Sequence, residues 1–211
     1  MTRMTTRSIL KTIAVLTVAL CAQAQAGVAL YTDQALFDKA ATTTTTIGFD
    51  GLAGGDYSYY GGSITASGVT FSAANNGLYV LNPNAYGSTI SPAQSGDFLN
   101  NNQVGSIAVS FNRGVTAFSF DATSLFNGGA GSVVLSNGQS FAFNYNPDRY
   151  TFLGFTSDTP ITGYTVNAFF TVLDDVRLGT AAVTATVPEP GSLALIGLAM
   201  LGFLTARRKR A

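Results

Sequence analysis

The chain has 211 residues, the size of one domain plus short processing segments. It contains no histidine, which excludes Ser-His-Asp and Cys-His catalysis and any histidine-ligated zinc or haem. Residues 27–187 carry four basic side chains and ten aspartates, a net charge of −6. Because nucleic-acid binding requires Lys and Arg to replace phosphate counterions, we expect no nucleic-acid partner.

The first 26 residues have the three parts of a secretory signal peptide. Three basic residues lie in the first eleven positions, residues 13–21 are apolar, and Ala-Gln-Ala at residues 24–26 fits the small-residue cleavage rule. Residues 22–24 offer an alternative cleavage site. We therefore predict a helical export signal that signal peptidase removes. The lone cysteine, Cys21, lies in this leader, so the exported body is expected to have no disulfide.

Residues 27–185 are predicted to be all-β, an antiparallel β-sandwich or jelly roll with one short N-terminal helix. The helix is expected within residues 31–41, where a short apolar stripe follows Thr32 or Asp33 as a cap. The threonine run at residues 42–46 favours an edge strand or an extended lead-in over an O-glycosylated linker. Beyond it, about ten short strands with turn signals between them are typical of a sandwich.

Two turns in this region predict hairpins. Asn137-Gly138 stands between two alternating apolar segments and suits a type I′ turn. The sequence ANNG at residues 74–77 lies between two further apolar segments and predicts a second hairpin. These local signals favour consecutive strands that pair with each other.

A glycine- and tyrosine-rich segment, residues 51–62, offers a candidate ligand site. It is read either as a flexible surface connection or as a rim on which sugars stack, built from Tyr57, Tyr59 and Tyr60. Aromatic rings with a polar edge suit a half-wet binding surface. Both interpretations stay open.

Two adjacent acids, Asp174 and Asp175, form the candidate cation site. Side chains alternate along a strand, so the two are expected on opposite faces unless a bulge intervenes. Asp174 would then share a face with Val172, Val176 and Leu178 and point inward. A buried carboxylate needs backbone N–H groups, an arginine or a hard cation such as Ca²⁺. Calcium is the one cofactor suggested. Asp97, near an asparagine run, is predicted to cap a turn or join a cation site.

The last 25 residues combine a Pro-Glu-Pro triplet (Pro188, Glu189, Pro190), an apolar segment and a basic tail of Arg207, Arg208, Lys209 and Arg210. Residues 191–206 carry no charge and would form about 24 Å of helix, short for a ~30 Å hydrocarbon core. The segment is apolar on all sides and ends in positive charge, which favours a short transmembrane helix with a cytoplasmic tail.

In order, spacing and position this ending resembles the PEP-CTERM sorting signal of Gram-negative bacteria. The resemblance implies that residues 186–211 form a sorting signal, recognised at Pro188 to Pro190 by a membrane-embedded exosortase that cleaves the tail. It also implies a membrane-anchored precursor and then a cell-surface or extracellular protein, commonly associated with exopolysaccharide. More loosely, the stretch from Leu153 to Gly179 resembles lectin-like β-sandwich domains that often carry this signal.

Three functions follow from these observations. The first is a non-enzymatic surface or biofilm-matrix protein that binds polysaccharide. The second is a secreted aspartate-dependent hydrolase, which would need two carboxylates at a defined separation. The third is a structural matrix protein without a ligand. We expect no enzymatic activity, since no pair of carboxylates is singled out by the sequence.

Overall fold

The computed structural model describes residues 27–74, 76–83, 96–101 and 104–182. The predicted signal peptide, the sorting signal and its transmembrane helix lie outside these residues. The chain divides into two compact units, residues 1–181 and 182–211. No described helix is long and apolar enough to cross a membrane.

The described body contains twelve strands and one helix, α1 at Gln34–Ala40. The strands are β1 (Val28–Tyr31), β2 (Ala41–Ile47), β3 (Tyr57–Gly61), β4 (Ser63–Ala66), β5 (Val69–Ser72), β6 (Leu78–Leu81), β7 (Phe98–Asn101), β8 (Val104–Ser124), β9 (Gly129–Leu135), β10 (Ser140–Tyr145), β11 (Thr151–Phe169) and β12 (Thr171–Ala181). Every described pairing between them is antiparallel. The all-β prediction is confirmed.

Two long strands build both layers of the fold. β8 and β11 pair along most of their lengths, and their register shifts between Thr156 and Gly163, which is where bulges bend strands. The first half of β8 and the second half of β11 join β5, β4, β9 and β10 in sheet I. Their other halves join β1, β12, β2, β7, β6 and β3 in sheet II.

The main core lies between the two sheets. Phe118 of sheet II stacks on Tyr164 of sheet I with ring centroids 5.0 Å apart, and Phe155 of sheet II meets Phe141 of sheet I at 5.3 Å. Buried residues from both sheets belong to one apolar cluster. Face-to-face packing of two sheets around a shared core defines a β-sandwich, as the sequence predicts.

The structure contains the helix and the edge strand that the sequence predicts before residue 48. The Asp33 carboxylate accepts from the backbone N–H groups of Ala35 and Leu36, which caps α1. Phe37 is the buried residue of the helix. The threonine strand β2 pairs with β12 alone among the described strands, so the prediction of an edge strand is confirmed.

One predicted hairpin is confirmed and the other is wrong. β9 and β10 pair around Asn137 and Gly138, where Gly138 has a φ of 86°. The strands on either side of residues 74–77 do not pair. Instead, β5 pairs with β4 and β8, and β6 pairs with β3 and β7. A turn signal marks a reversal of the chain, but it does not decide which neighbours the strands find.

Candidate functional site

The outer face of sheet II, which points away from the main core, carries the candidate site. Successive side chains of a strand point to opposite faces of its sheet. On β12, Leu173 points into the main core, and its neighbour Val172 belongs to a separate cluster on the outer face. That outer cluster consists of Leu81, Phe98, Leu125 and Val172, with Tyr79, Tyr150 and Phe170 packed against it. Aromatic side chains therefore form a second layer over the sheet.

Antiparallel register aligns side chains in rows across the outer face. One row runs from β3 to β8 through Tyr59, Tyr79, Asn100, Val172 and Thr123. Two residues away along each strand, Tyr57, Leu81 and Phe98 form one paired set and Asp174 and Asp121 form another. The pairing of β7 with β12 extends no further than Leu99 and Leu173. Since neighbouring strands are about 4.8 Å apart, five strands span roughly 19 Å. Aromatic groups lie at one end of the rows and carboxylates at the other.

The aromatic end is a cluster that we call the tyrosine platform, made of Tyr57, Tyr59 and Tyr79. Tyr59 and Tyr79 have ring centroids 4.9 Å apart, and Tyr57 and Tyr79 5.9 Å apart. Tyr57 is 47% exposed and Tyr59 57%. The Tyr59 hydroxyl donates to the Asn76 carbonyl at 2.7 Å, which holds the ring in place. The platform is thus both exposed and positioned.

Tyr60 is separated from the other tyrosines of the predicted sugar-stacking rim. The register of β3 against β6 shifts between Tyr59 and Gly61, and Tyr60 packs against the main core. Its hydroxyl donates to the Leu52 carbonyl at 2.9 Å. Residues 57–61 are a strand rather than a flexible connection. Tyr79, which the sequence did not single out, takes the third place in the platform.

The acidic end contains a pair of carboxylates that we call the carboxylate pair, Asp121 and Asp174. They are direct cross-strand partners on β8 and β12, which places their Cβ atoms about 4.5–5.5 Å apart. Burial raises the pKa of Asp174 to about 7, with added repulsion from Asp175, Asp50 and Asp121. Burial and Asp175 raise the pKa of Asp121 to about 6, opposed by Arg177.

A bulge in β12 corrects the predicted orientation of Asp174. Between Asp174 and Arg177 the register against β8 shifts, and Asp175 has a φ of 46°, a conformation that aspartate tolerates better than most residues. The core-facing residues are consequently Leu173, Val176 and Leu178. Asp174 lies on the outer face with Val172, not on the inner face with Val176.

Asp174 and Asp175, the two predicted cation ligands, each interact with a nearby group of the protein. The Asp174 carboxylate accepts from the backbone N–H of Asp175 at 2.8 Å. The Asp175 carboxylate lies 3.9 Å from the Arg177 guanidinium, which also donates to the Gln34 amide oxygen when that amide is oriented toward it (2.6 and 3.3 Å). Within the described residues, no group of three or more acidic, cysteine or histidine side chains could hold a metal ion. Calcium binding by Asp174 and Asp175 stays a prediction.

Asp97 caps a turn, one of the two roles that the sequence left open. Its carboxylate accepts from the backbone N–H groups of Gly51 and Ala53 and from the Asn82 amide, at 2.9 to 3.1 Å. Asp50 in turn accepts from the backbone N–H of Asp97. This network fixes the loop that precedes β3, the strand that carries Tyr57 and Tyr59.

Tyr150 connects the aromatic and acidic ends of the face. It packs against the outer cluster, and its buried hydroxyl has no hydrogen-bond partner among the described residues. Burial raises its pKa, and so do the negative charges of Asp174, Asp121 and Asp175. The hydroxyl therefore stays protonated and available as a donor beside the carboxylate pair.

Comparison with protein-family models finds one match, at the end of the chain. Residues 186–210 match the PEP-CTERM protein-sorting motif. This confirms the resemblance shown by Pro188, Glu189, Pro190 and the basic tail, and it implies exosortase-dependent export. The match covers the sorting segment and not the β-sandwich. A comparison with curated protein sequences finds no match.

Solved structures similar to the chain include family 29 carbohydrate binding modules. A tyrosine-to-alanine mutant of CBM29-2 is 12% identical and has a TM-score of 0.33, with 58% of this chain and 91% of that chain covered. An aspartate-to-alanine mutant of CBM29-2 complexed with mannohexaose is 17% identical, with a TM-score of 0.30 and coverage of 66% and 92%. At these TM-scores the likeness carries no argument about function.

Proposed function

We propose that the protein is an exported, exosortase-processed surface protein whose β-sandwich binds polysaccharide on the outer face of sheet II. The observation that carries this proposal is the tyrosine platform. Two tyrosines about half exposed flank a third on one regular sheet face, and exposed aromatic clusters of this kind mark interaction sites. The less polar face of a sugar ring packs on an aromatic ring while its hydroxyls reach polar neighbours.

Polar groups at the opposite end of the face from the platform also suit a carbohydrate ligand. Carboxylates accept hydrogen bonds from sugar hydroxyls, and Tyr150 and Arg177 can donate them. Phe98 and Val172, in the middle of the rows, are fully buried, so the exposed contact surface that supports the proposal is the tyrosine platform. The ligand would be a polysaccharide of the extracellular matrix in which an exported surface protein resides.

Affinity electrophoresis of the exported protein through gels containing soluble polysaccharides tests this proposal. We expect wild-type protein to be retarded by at least one polysaccharide, and Tyr57→Ala/Tyr59→Ala to lose most of that retardation, since stacking contacts are worth roughly 1 kcal/mol or more each. Leu36→Ala, which removes an apolar side chain of 55% exposure on α1, is the control and should behave as wild type. Equal retardation of the tyrosine variant would contradict the proposed site.

The same gels separate binding from hydrolysis. A glycosidase holds its two carboxylates on opposite sides of the bond that it cleaves, whereas Asp121 and Asp174 stand side by side on one surface. We therefore propose binding without cleavage. Shortened polysaccharide chains after incubation, absent with Asp174→Asn, would favour the hydrolase instead.

A further inference from the structure

The carboxylate pair has negative charge that the described residues do not neutralise. The charged groups around Asp121 and Asp174 are Asp50, Asp175 and Arg177. The ion pair of Arg177 is with Asp175, at 3.9 Å, and no described cation lies within ion-pair distance of the carboxylate pair. Like charges directly opposed across two strands destabilise a sheet. The pair therefore offers a place for a positive group that the protein itself does not supply.

A second observation points to a missing partner at the same place. Ser119 precedes Asp121 by two residues on β8, so both side chains point to the outer face, and Ser119 stands opposite Arg177 on β12. Ser119 is fully buried, yet its hydroxyl has no hydrogen-bond partner among the described residues. The Tyr150 hydroxyl beside the pair is also without one. Buried polar groups normally have partners, so bound solvent or a ligand group is expected at these hydroxyls.

Resting on the proposed function, we infer that the polysaccharide carries free amino groups and that an ammonium group of an amino sugar binds between Asp121 and Asp174. The ammonium offers three donors, enough for both carboxylates and a neighbouring oxygen. It brings the positive charge that the pair lacks, and the adjoining sugar ring lies beside the Tyr150 hydroxyl. A uronic-acid polymer would be repelled by the same groups.

The selectivity is tested with oligomers of glucosamine and of N-acetylglucosamine of equal length, titrated calorimetrically into the exported protein. Charge-assisted hydrogen bonds predict that the glucosamine oligomer binds about tenfold more tightly or better. Each of Asp121→Asn and Asp174→Asn should abolish this preference yet retain binding of the acetylated oligomer. Asp158→Asn is the matched control, because Asp158 is an exposed acid on the bend of β11, outside the outer-face rows.

The outcomes distinguish this inference from the proposed function. Equal or tighter binding of the acetylated oligomer, or a preference that survives both asparagine substitutions, would overturn the amino-sugar assignment alone. Tight binding of a uronate oligomer would overturn it as well. Absence of binding to every glycan, with the fold intact by circular dichroism, would overturn the proposed function and the inference together. A preference that added salt weakens would support the ammonium contact.

Discussion

Asp121 and Asp174 are the residues whose chemistry departs most from expectation. The sequence singles out Asp174 only together with Asp175, and it does not single out Asp121, which ends a phenylalanine-rich segment. Strand pairing brings them together 53 positions apart in the chain. Their raised pKa values arise because burial and mutual repulsion both disfavour the charged forms.

These shifts make stability depend on pH with a definite sign. A carboxyl group with a pKa of about 6 or 7 in the folded state, against an ordinary pKa of 3.8, keeps its proton to higher pH in the folded than in the unfolded protein. The contribution of the two protonated carboxyl groups to the free energy of unfolding is therefore fully present below about pH 4 and is lost as pH rises through about 7.

Asp174→Asn should remove the loss of stability at high pH, and its side chain keeps an oxygen that can accept the Asp175 N–H. Relative to wild type, we expect the variant to gain roughly 1–3 kcal/mol of unfolding free energy at about pH 8 and almost nothing at about pH 4. Urea unfolding at the two pH values measures the difference. Asp158→Asn is the control. A gain that is equal at both pH values would show that Asp174 does not titrate as described.

For individual helices and strands, the sequence predicts the features that depend on residues close together in the chain. The cap at Asp33, the Phe37 stripe, the threonine edge strand and the Asn137-Gly138 hairpin depend on residues a few positions apart, and the structure has each of them. Turn chemistry and side-chain period carry that information.

Long-range pairing is what the sequence does not reveal. Residues 105–112 and 115–121 alternate as two strand-like segments on either side of Arg113-Gly114. In the structure both belong to one strand, β8, which bends from sheet I into sheet II. The bulge at Asp175 moves Asp174 to the outer face while Val176 keeps its expected inner face, because a one-residue shift in register exchanges the faces. Tyr79 and Tyr150 became site residues only through neighbours distant in the chain.

Gly163 marks the bend on which both sheets depend. A Cβ atom at this position would collide with the carbonyl oxygen of Val109 and approach Ser110 Cα at 3.2 Å. We expect Gly163→Ala to lower the unfolding free energy by about 1–3 kcal/mol or more, since close contacts with backbone relax poorly. Gly48→Ala is the matched control, because its Cβ would meet nothing within 4 Å. Equal thermal unfolding midpoints for the two variants would contradict this account of the bend.

At the scale of the whole molecule, charge and layout agree with an exported binding protein. The middle of the chain is acidic, and the basic residues concentrate at the two ends, where export signals place them. The β-sandwich presents an aromatic and acidic face of about five strands, and the segment that matches the sorting motif follows it in the chain. The sorting segment and the proposed binding face thus occupy separate parts of the sequence.

Export and processing are the claim on which the other proposals depend, and intact mass measurement of the protein from fractionated cells tests it most directly. We predict that the surface or extracellular fraction contains a form lacking residues 1–26 and the basic tail, and that Pro188→Ala/Glu189→Ala/Pro190→Ala retains the tail and stays in the membrane fraction. A substitution of the same kind at Pro147, in a turn of the body, should process normally. Recovery of the intact 211-residue chain from the cytosol, equal for wild type and variant, would contradict the account.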